Sequence, residues 1–497
     1  MTSQVLAAQP SAIRHIGSVL RIVGLVLVIF SATMLVPVAT AVLLPEPSAD
    51  EFVGSAMLTA ASGLAIWYAF RHYTVELQPR DGFLLVTLTW GLLPVFGAVP
   101  LLLYLPGLSF TDGFFEAASG LTTTGATVLS GLDQLPVSIN LWRAQLQWMG
   151  GMGLIVLAVA ILPLLGVGGR QMFSAETPGA FKDARLTPRI EDTARGLWYV
   201  YTGITVACAM CFWLGGMSVS DAVIHSFATL SLGGFSSYDA SFGHFDSPLL
   251  EGIAIVFMLV AGINFSTHFL AWNRKDLRAY RVDPEAGWFV AVTLSSAVLI
   301  AVILAAYHTY PSFATAIRYS LFNVVSIATT TGFSNADFAV WPIFAPGLML
   351  LLCLFASSAG STGGGVKMIR IRLAVAQLRR EAVRLCHPSA VVPVRIGNQP
   401  VSPSVMMSVL TFLAAYAAVI VLMVLVLVFS GLSLLTATSA IVACISNTGP
   451  GLNEVGPATT YAVLTDFQTW ICSIAMLIGR LELFTVLVLF SRGYWRR

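Results

Sequence analysis

Four short segments, each ending in glycine, place polar backbone inside an otherwise apolar chain. Their last glycines follow one another at intervals of 109, 98 and 117 residues. Non-helical backbone at membrane depth is tolerated where it lines a water-filled path, and rings of backbone carbonyls can replace the hydration shell of an ion. The sequence therefore predicts an ion path built from these segments, which we call polar loops 1 to 4. They consist of Thr122, Thr123, Thr124 and Gly125 (loop 1); Ser231, Leu232, Gly233 and Gly234 (loop 2); Thr329, Thr330, Thr331 and Gly332 (loop 3); and Ser446, Asn447, Thr448 and Gly449 (loop 4).

The composition is that of a membrane protein. Of the 497 residues, 57% are hydrophobic and 10% are charged, whereas a soluble domain carries roughly 25% charged residues. Apolar runs of about 20 residues, long enough to cross a bilayer, recur along the chain. The first run is too long to be the apolar part of a cleavable signal peptide. We place ten spans near residues 16–44, 53–70, 83–105, 144–165, 196–216, 249–272, 287–307, 343–385 (interrupted), 404–430 and 462–490.

The distribution of lysine and arginine orients the chain in the membrane. All but three of the 26 (Arg143, Arg318 and Arg480) fall on one side of the ten spans. Positive charge marks the cytoplasmic side, so both termini are expected in the cytoplasm. The loops on the opposite side are acidic, which would raise the local concentration of cations there.

From about residue 82 onward the same unit occurs four times: a span, a half-helix, a polar loop and a second span. Each half-helix is too short to cross the membrane. The residue pairs Thr111-Asp112 and Ser220-Asp221 are expected to begin the first two half-helices, and Ser312 the third. The partly negative C-terminal end of each half-helix would point toward its polar loop and stabilise a cation there.

A glycine-rich loop (residues 357–367) interrupts the eighth span. Three consecutive glycines hold a helix poorly. A P-loop is excluded, because Val366 separates the glycines from Lys367 and no strand precedes them. Two interpretations remain, a plain cytoplasmic loop or an irregular loop under the ion path. We favour the second, because the apolar stretch before the loop is too short to cross alone. The loop includes Gly360, Ser361, Thr362, Gly363, Gly364, Gly365 and Lys367.

Arg480 lies within the apolar run 470–490. A charge at the centre of a membrane helix costs about 2.5–3.5 kcal/mol on the insertion scale. A salt bridge with Glu482 or an arginine that snorkels past lipid would explain it. The functional interpretation is a positive charge that faces the ion path below the polar loops, lowers cation occupancy there and keeps ions moving.

Other polar residues also lie within apolar stretches. Glu116 and His225 each stand nine positions before the last glycine of their loop, where bracing the loop is favoured over direct contact with the ion. The sixth span holds Asn264, Ser266, Thr267 and His268. Hydrogen bonds between helices are the favoured role of this cluster, and lining or gating the path is the alternative.

Taken together, these segments resemble the Trk branch of the Trk/Ktr/HKT superfamily of potassium transporters. The resemblance covers the chain essentially from end to end and includes the two additional N-terminal spans. It implies an all-α integral membrane fold of ten transmembrane helices. The last eight would form four helix–pore-loop–helix repeats with pseudo-fourfold symmetry around one pore. The matching stretches are 119–127, 233–236, 330–334, 359–367, 446–451 and 479–482.

The resemblance also implies a division of the chain. Residues 1–80 would hold the two extra helices, 81–170 repeat 1, 190–280 repeat 2, 284–390 repeat 3 with its broken second helix, and 400–497 repeat 4. Backbone carbonyls of the polar loops would form the selectivity filter, the glycine-rich loop the gate, and Arg480 a pore charge. In the plant branch, serine at the position of Gly125 accompanies a preference for sodium, so Gly125 favours potassium.

The implied function is potassium uptake across the bacterial inner membrane. K+ would be the permeant ion, and no organic cofactor is expected on this chain. The implied partners are a second copy in a homodimer, a separate cytosolic nucleotide-binding subunit of the RCK type (TrkA-like), and the lipid bilayer. Nucleic acid is not expected as a partner.

Two other classes of function compete with this one. A cation-coupled secondary transporter with alternating access also uses repeats and broken helices. Four parallel units favour a pore, whereas two inverted halves favour a rocking transporter. An enzyme is disfavoured, because the seven histidines show no metal-ligand spacing and no nucleophile motif is present.

Overall fold

The computed structural model describes residues 11–153, 190–355, 357–396 and 399–495, and these are almost entirely helical. A turn of π-helix, Met149–Gly153, follows the sixth helix. The helices before residue 283 are α1 (Ser11–Thr33), α2 (Leu35–Leu43), α3 (Ala49–Phe70), α4 (Pro79–Tyr104), α5 (Phe110–Leu121), α6 (Val137–Trp148), α7 (Ile190–Leu214), α8 (Val219–Ser231), α9 (Pro248–Ala261), α10 (Phe265–Arg274) and α11 (Arg278–Val282).

The second half of the chain continues in the same way. Strands β1 (Arg395–Ile396) and β2 (Gln399–Pro400) pair antiparallel, with Arg395 opposite Pro400. The helices are α12 (Ala286–Ala306), α13 (Phe313–Ala328), α14 (Phe344–Phe355), α15 (Met368–Cys386), α16 (Pro403–Phe429), α17 (Leu434–Ile445), α18 (Asp466–Arg480), α19 (Phe484–Leu487) and α20 (Arg492–Trp495).

Among the described residues, six helical stretches are long and apolar enough to cross a membrane, or eight if each of two bent pairs counts as one span. The six are Ile13–Leu43, Ala49–Phe70, Arg80–Tyr104, Arg195–Leu214, Ala286–Ala306 and Pro403–Phe429. The expected fourth span, 144–165, lies outside the described residues beyond position 153. The interruption expected in the eighth span is present, because α14 ends at Phe355 and α15 begins at Met368.

The sixth span was expected to be continuous, and this was wrong. Helices α9 and α10 are bent by 92° at residues 262–264. Asn264 begins α10, with its side chain accepting a hydrogen bond from the Ser266 N–H at 2.8 Å. Within the polar cluster, His268 contacts the Val260 carbonyl across the bend at 2.9 Å and the Tyr280 hydroxyl at 2.8 Å. The cluster therefore stabilises a helix break rather than a straight span.

The last span is also broken, where the sequence predicted one run. Helix α18 ends at Arg480, and the chain turns by 103° before α19. Glu482 and Leu483 take the left-handed conformation at this turn, with φ of 53° and 44°. Residues other than glycine rarely adopt positive φ. The break is therefore strained and must be stabilised by contacts with surrounding residues.

Four short helices, α5, α8, α13 and α17, each precede a polar loop, and we call them the half-helices. Each packs against the long helix before it: α5 on α4, α8 on α7, α13 on α12 and α17 on α16. Each also packs against a helix of another unit: α8 on α6, α13 on α9, α17 on α14 and α5 on α18. The second set of contacts closes into a ring of four.

The half-helices begin in the same way. The side chains of Ser109, Ser218, Ser312 and Ser433 each accept a hydrogen bond from the backbone N–H three residues later. These caps satisfy N–H groups that have no partner within the helix. The expectation for Ser312 is confirmed. The first two half-helices begin two residues earlier than predicted, because a serine stands before each Thr/Ser-Asp pair and caps onto the aspartate N–H.

Candidate functional site

The four polar loops share one backbone conformation. In each, the N–H of the third residue donates to the carbonyl five residues earlier, as from Thr124 to Ser119 and from Thr331 to Ser326, both at 2.8 Å. The last glycines have φ between 78° and 94°, a conformation that glycine adopts without strain. The second residues are also left-handed, which the sequence did not reveal: Thr123 (56°), Leu232 (54°), Thr330 (62°) and Asn447 (54°).

The four loops contact one another in a closed ring. A Cβ atom built on Gly125 would overlap the carbonyl oxygen of Gly233 in loop 2. The same relation leads from loop 2 to loop 3, from loop 3 to loop 4, and from loop 4 back to loop 1: Gly234 meets the Thr331 carbonyl, Gly332 the Thr448 carbonyl, and Gly449 the Thr124 carbonyl. Each last glycine thus lies against the carbonyl that precedes the last glycine of the next loop. The backbone can close this ring because these four positions lack a side chain.

The side chains of the polar loops make different contacts in different repeats. In loops 1 and 3, the hydroxyls of the first and third threonines bond to each other at 2.7 Å. Loop 2 has glycine at the third position and cannot form this bond, and Gln147 on α6 holds it instead. Its Nε2 donates to the Gly233 carbonyl at 2.6 Å, and its Oε1 accepts from the Phe235 N–H at 3.1 Å. The carbonyl of Gly233 therefore already has one donor from the protein.

In loop 4, asparagine replaces threonine at the second position and joins two repeats. The Nδ2 of Asn447 donates to Oγ1 of Thr124 in loop 1 at 3.0 Å and to the Met476 carbonyl in α18 at 3.0 Å. Departures from the threonine pattern are thus compensated by bonds to neighbouring segments.

A cavity of about 230 Å³ lies beside the ring, on the side of the residues that follow the glycines. All four last glycines line it, together with Arg143, Asp239 and Tyr461. Tyr238 also lines it and donates to the Asp221 carboxylate at 3.0 Å. Burial, together with Asp221, raises the pKa of Tyr238 to about 12, so this hydroxyl stays neutral. We call this cavity the vestibule.

Buried polar groups brace the loops from behind, and they differ between repeats. In repeat 1, Glu116 forms an ion pair with Arg143 at 2.8 Å, with both side chains almost fully buried. Glu116 also accepts from the Val128 N–H at 3.1 Å, and Arg143 donates to the Ser236 carbonyl after loop 2 at 3.0 Å. This pair therefore links the segments that follow loops 1 and 2.

The other repeats use uncharged braces. His225 contacts the Ser236 hydroxyl at 3.0 Å, and Asn323 donates to Asn335 at 2.6 Å. In the fourth repeat, where alanine stands at the equivalent position, the Tyr461 hydroxyl donates to the Gly449 carbonyl at 2.8 Å.

The glycine-rich loop lies directly against the polar loops, at the end opposite the vestibule. The Gly364 N–H donates to Oγ1 of Thr330 in loop 3 at 2.8 Å, and Oγ1 of Thr362 donates to the Leu230 carbonyl before loop 2 at 3.0 Å. A Cβ on Gly364 would overlap the Ser446 carbonyl, and one on Gly363 would lie 3.0 Å from the Thr329 carbonyl. The loop is therefore pressed against the backbone of loops 3 and 4.

The remaining residues of the glycine-rich loop shape it. Gly360, Gly365 and Lys367 all have φ of 74° to 75°. Lys367 is buried, and its Nζ donates to the Gly363 carbonyl. Ser361 folds back on the loop, with its hydroxyl donating to the Ser358 carbonyl at 2.6 Å.

Arg480 joins the glycine-rich loop to repeat 1. Its guanidinium donates to the Thr362 carbonyl at 3.0 Å and to the Gly150 and Gly151 carbonyls at 2.5 and 2.9 Å. Glu482, the alternative partner considered from the sequence, forms its ion pair with Arg370 of α15 at 2.7 Å. The arginine thus points inward under the polar loops, rather than toward lipid.

Several side chains that hold this site were not predicted from the sequence. Arg143 and Gln147 stand four residues apart on α6, and this helical spacing of polar residues was a usable signal for a buried face. Tyr461 and Glu285 stand in ordinary loop sequence, and the Glu285 carboxylate accepts hydrogen bonds from the N–H groups of Ala359 and Ile369 on either side of the glycines. Their contacts depend on segments far away in the chain, which leave no local pattern.

Comparisons with known proteins agree with one another. The sequence profile of the TrkH family, described as a cation transport protein, matches residues 48–496. The chain is 45% identical over 482 residues to the Trk system potassium uptake protein TrkH of Vibrio parahaemolyticus, covering 96% of this chain and 99% of that protein. It is 36% identical over 486 residues to the Trk system potassium uptake protein TrkG of Escherichia coli, covering 97% and 99% respectively.

A solved structure shows the same likeness in the fold. The crystal structure of the potassium transporter TrkH from Vibrio parahaemolyticus matches with a TM-score of 0.87 at 43% sequence identity. The match covers 97% of this chain and 100% of that one. The likeness in sequence and in fold therefore extends over nearly the whole chain.

Proposed function

The chain belongs to the TrkH family of cation transport proteins, and on this premise we propose that it mediates potassium uptake across the bacterial inner membrane. The relatives that support the choice of ion are named Trk system potassium uptake proteins. The chain matches them over almost their whole length. The observation that carries the mechanism is the closed ring in which each last glycine lies against a carbonyl of the next polar loop.

The proposed architecture is ten transmembrane helices, of which the last eight form four pseudo-fourfold repeats around one pore. The repeats are 81–170, 190–280, 284–390 and 400–497, after two extra helices in 1–80. Two rings support this proposal: the half-helices contact one another's repeats in cyclic order, and the last glycines do the same. In both rings, each unit contacts the next unit in the same order around the ring. This is expected when four units share one orientation.

Carbonyls of the polar loops form the proposed filter. A potassium ion leaving the vestibule exchanges its water for these oxygens, which the left-handed residues turn toward the axis. The partly negative C-terminal ends of the four half-helices add to the attraction for a cation. A negative-inside membrane potential drives the ion inward by about 2.3 kcal/mol per charge per 100 mV.

The glycine-rich loop is the proposed gate. It lies against loops 3 and 4, and these contacts leave its backbone little room to move. Arg480 places positive charge beside it, which disfavours an ion resting there. The fully conducting state therefore requires displacement of this loop.

The proposed partners follow from the family. A cytosolic nucleotide-binding subunit would displace the gate by moving α15, whose N-terminal end is continuous with the loop. The protein would act as a homodimer with both termini in the cytoplasm. The positive residues in 167–189 and at 496–497 that contribute to this orientation lie outside the described residues.

The decisive experiment is ion flux into liposomes, with potassium, rubidium and sodium compared for the native protein and for Gly125→Ser. Serine at this position would overlap the Gly233 carbonyl, so potassium flux and the preference for potassium over sodium should both fall. Gly131→Ser is the matched control, because Gly131 also has positive φ (71°) but has open space around its Cβ position.

Two outcomes would overturn the proposal. One is native protein that carries sodium and potassium equally. The other is a Gly125→Ser variant with the flux and ion preference of Gly131→Ser. Strict coupling to protons or sodium at low turnover would favour the alternating-access transporter instead.

A further inference from the structure

Glu285 reaches the glycine-rich loop from another part of the chain. It stands after Pro284, immediately before the membrane-spanning helix α12, and it is 5% exposed. Its carboxylate accepts a hydrogen bond from the Ala359 N–H at 3.0 Å and from the Ile369 N–H at 2.7 Å. One side chain thus contacts the chain on both sides of the glycines.

The two donors explain why a carboxylate stands here. Ile369 lies in the first turn of α15, where backbone N–H groups have no partner within the helix. Ala359 lies in irregular backbone just before Gly360. A carboxylate has two acceptor oxygens and no donor, so it can satisfy both N–H groups at once. It also suits the partly positive N-terminal end of a helix.

The backbone around Glu285 is itself fixed. Asp283 accepts a hydrogen bond from the Glu285 N–H at 2.8 Å and from the hydroxyl of Thr267 in α10 at 2.5 Å. Arg372 of α15 donates to the Pro284 carbonyl. The backbone at Glu285 is therefore held in place by several hydrogen bonds. The glycines between its two hydrogen-bond donors, in contrast, lose more conformational freedom on folding than any other residue type.

We propose that Glu285 is a positioning residue that holds the glycine-rich loop under the polar loops by tying together its two ends. Releasing either end frees the glycines to leave the axis, and ions then pass without any change in the filter. This inference rests on the proposed gate, and it adds the residue that keeps the gate closed. Residues 283–285, at the end of the linker 275–285 between α10 and α12, thereby become part of the gate.

The test measures potassium flux into liposomes containing the full chain without any regulatory subunit. Glu285→Ala removes both acceptors and should raise flux at least about tenfold, the factor expected when hydrogen bonds to a charged group are lost from one of two states. Glu285→Gln keeps one acceptor oxygen and should give an intermediate flux. The ratio of potassium to sodium flux should stay at the native value.

Asp276→Asn is the matched control. Asp276 is an exposed carboxylate in the same linker, and it accepts from the N–H of Arg278 at 2.8 Å. The substitution replaces a carboxyl group by an amide, as Glu285→Gln does, and flux should stay native. Equal flux in Glu285→Ala, Asp276→Asn and native protein would overturn the role of Glu285.

Deletion of residues 363–365 separates this inference from the gate on which it rests. If the deletion raises flux and Glu285→Ala does not, the gate stands and the role of Glu285 is refuted. If neither raises flux, both proposals are wrong. If Glu285→Ala raises flux but erases the preference for potassium, the substitution disturbs the filter and the inference fails.

A chemical readout tests displacement of the loop directly. Thr362 is 1% exposed, so a cysteine there should react slowly with a water-soluble thiol reagent. The exposed Cys386 is first replaced by serine. Adding Glu285→Ala to Thr362→Cys should raise the rate of modification about tenfold, and adding Asp276→Asn should not. An unchanged rate with Glu285→Ala would count against release of the loop.

Discussion

The polar loops and the glycine-rich loop are both buried, irregular and rich in glycine, yet they are held in different ways. Each polar loop is tied to its own half-helix by the backbone bond that recurs from the third residue to the carbonyl five residues earlier, and side chains such as Gln147 add to this bond. The glycine-rich loop depends on side chains from distant segments, namely Thr330, Glu285 and Arg480. A loop held by local backbone bonds is expected to stay in place. A loop held by a few side chains from distant segments can be released when those contacts break.

The largest effect is expected where the ring of polar loops allows no additional atom. In Gly332→Ala, the new Cβ would overlap the Thr448 carbonyl at a φ of 90°. Because backbone cannot move aside as a flexible side chain can, potassium flux in liposomes should fall by a hundredfold or more, which corresponds to about 3 kcal/mol.

Gly431→Ala separates crowding from backbone strain. Gly431 has φ of 103° and open space around its Cβ position, so this variant carries the strain without the clash and should keep most of its flux. A similar flux in the two variants would mean that the ring contact does not limit transport.

The second expected effect concerns how firmly the polar loops are braced. Arg143→Met leaves Glu116 buried without its ionic partner, which typically costs about 3–5 kcal/mol. The midpoint of thermal unfolding in detergent should fall accordingly. Arg384→Met is the control, because Arg384 and its partner Glu381 are about half exposed and 3.7 Å apart, and such pairs contribute at most about 1 kcal/mol.

The double variant Glu116→Leu with Arg143→Met sharpens this prediction. Removing both charges should restore part of the stability, since the penalty comes from the unpaired carboxylate. Additive losses would show that the pair acts through packing rather than charge.

Because the polar loops and the glycine-rich loop are held by different contacts, the sequence predicted them to different extents. The polar loops were predicted from their segments ending in glycine, and these last glycines have positive φ: Gly125, Gly234, Gly332 and Gly449. The recurring backbone bond of these loops joins residues five positions apart, so the local sequence is enough to predict them. The positive φ at Leu232 was not foreseeable, because a leucine has no preference for that conformation and the fold imposes it.

The contacts of the glycine-rich loop were not foreseeable from sequence. Its interruption of the eighth span was predicted from three consecutive glycines, and the helices do end and resume there. Its ties to Glu285 and Thr330 join residues tens of positions apart. The breaks in the sixth and last spans were missed for a related reason. Apolar runs continue through both bends, and hydropathy does not register a turn made by Asn264 or Glu482.

The smallest expected effect lies at the contact between the two regions. Thr330→Val removes the hydroxyl that accepts the Gly364 N–H at 2.8 Å and keeps the shape of the side chain. A single such bond contributes about 0.5–1.5 kcal/mol, so flux should rise about two- to tenfold, with the preference for potassium unchanged.

Thr123→Val is the matched control for this contact. Thr123 occupies the equivalent position of loop 1 with nearly the same φ (56° against 62°). Its buried hydroxyl has no hydrogen-bond partner among the described residues, so the substitution should leave the glycine-rich loop in place and flux near native. If Thr123→Val raised flux as much as Thr330→Val, the effect would arise within the polar loops. The two regions would then act as one structure rather than as a fixed ring and a separable gate.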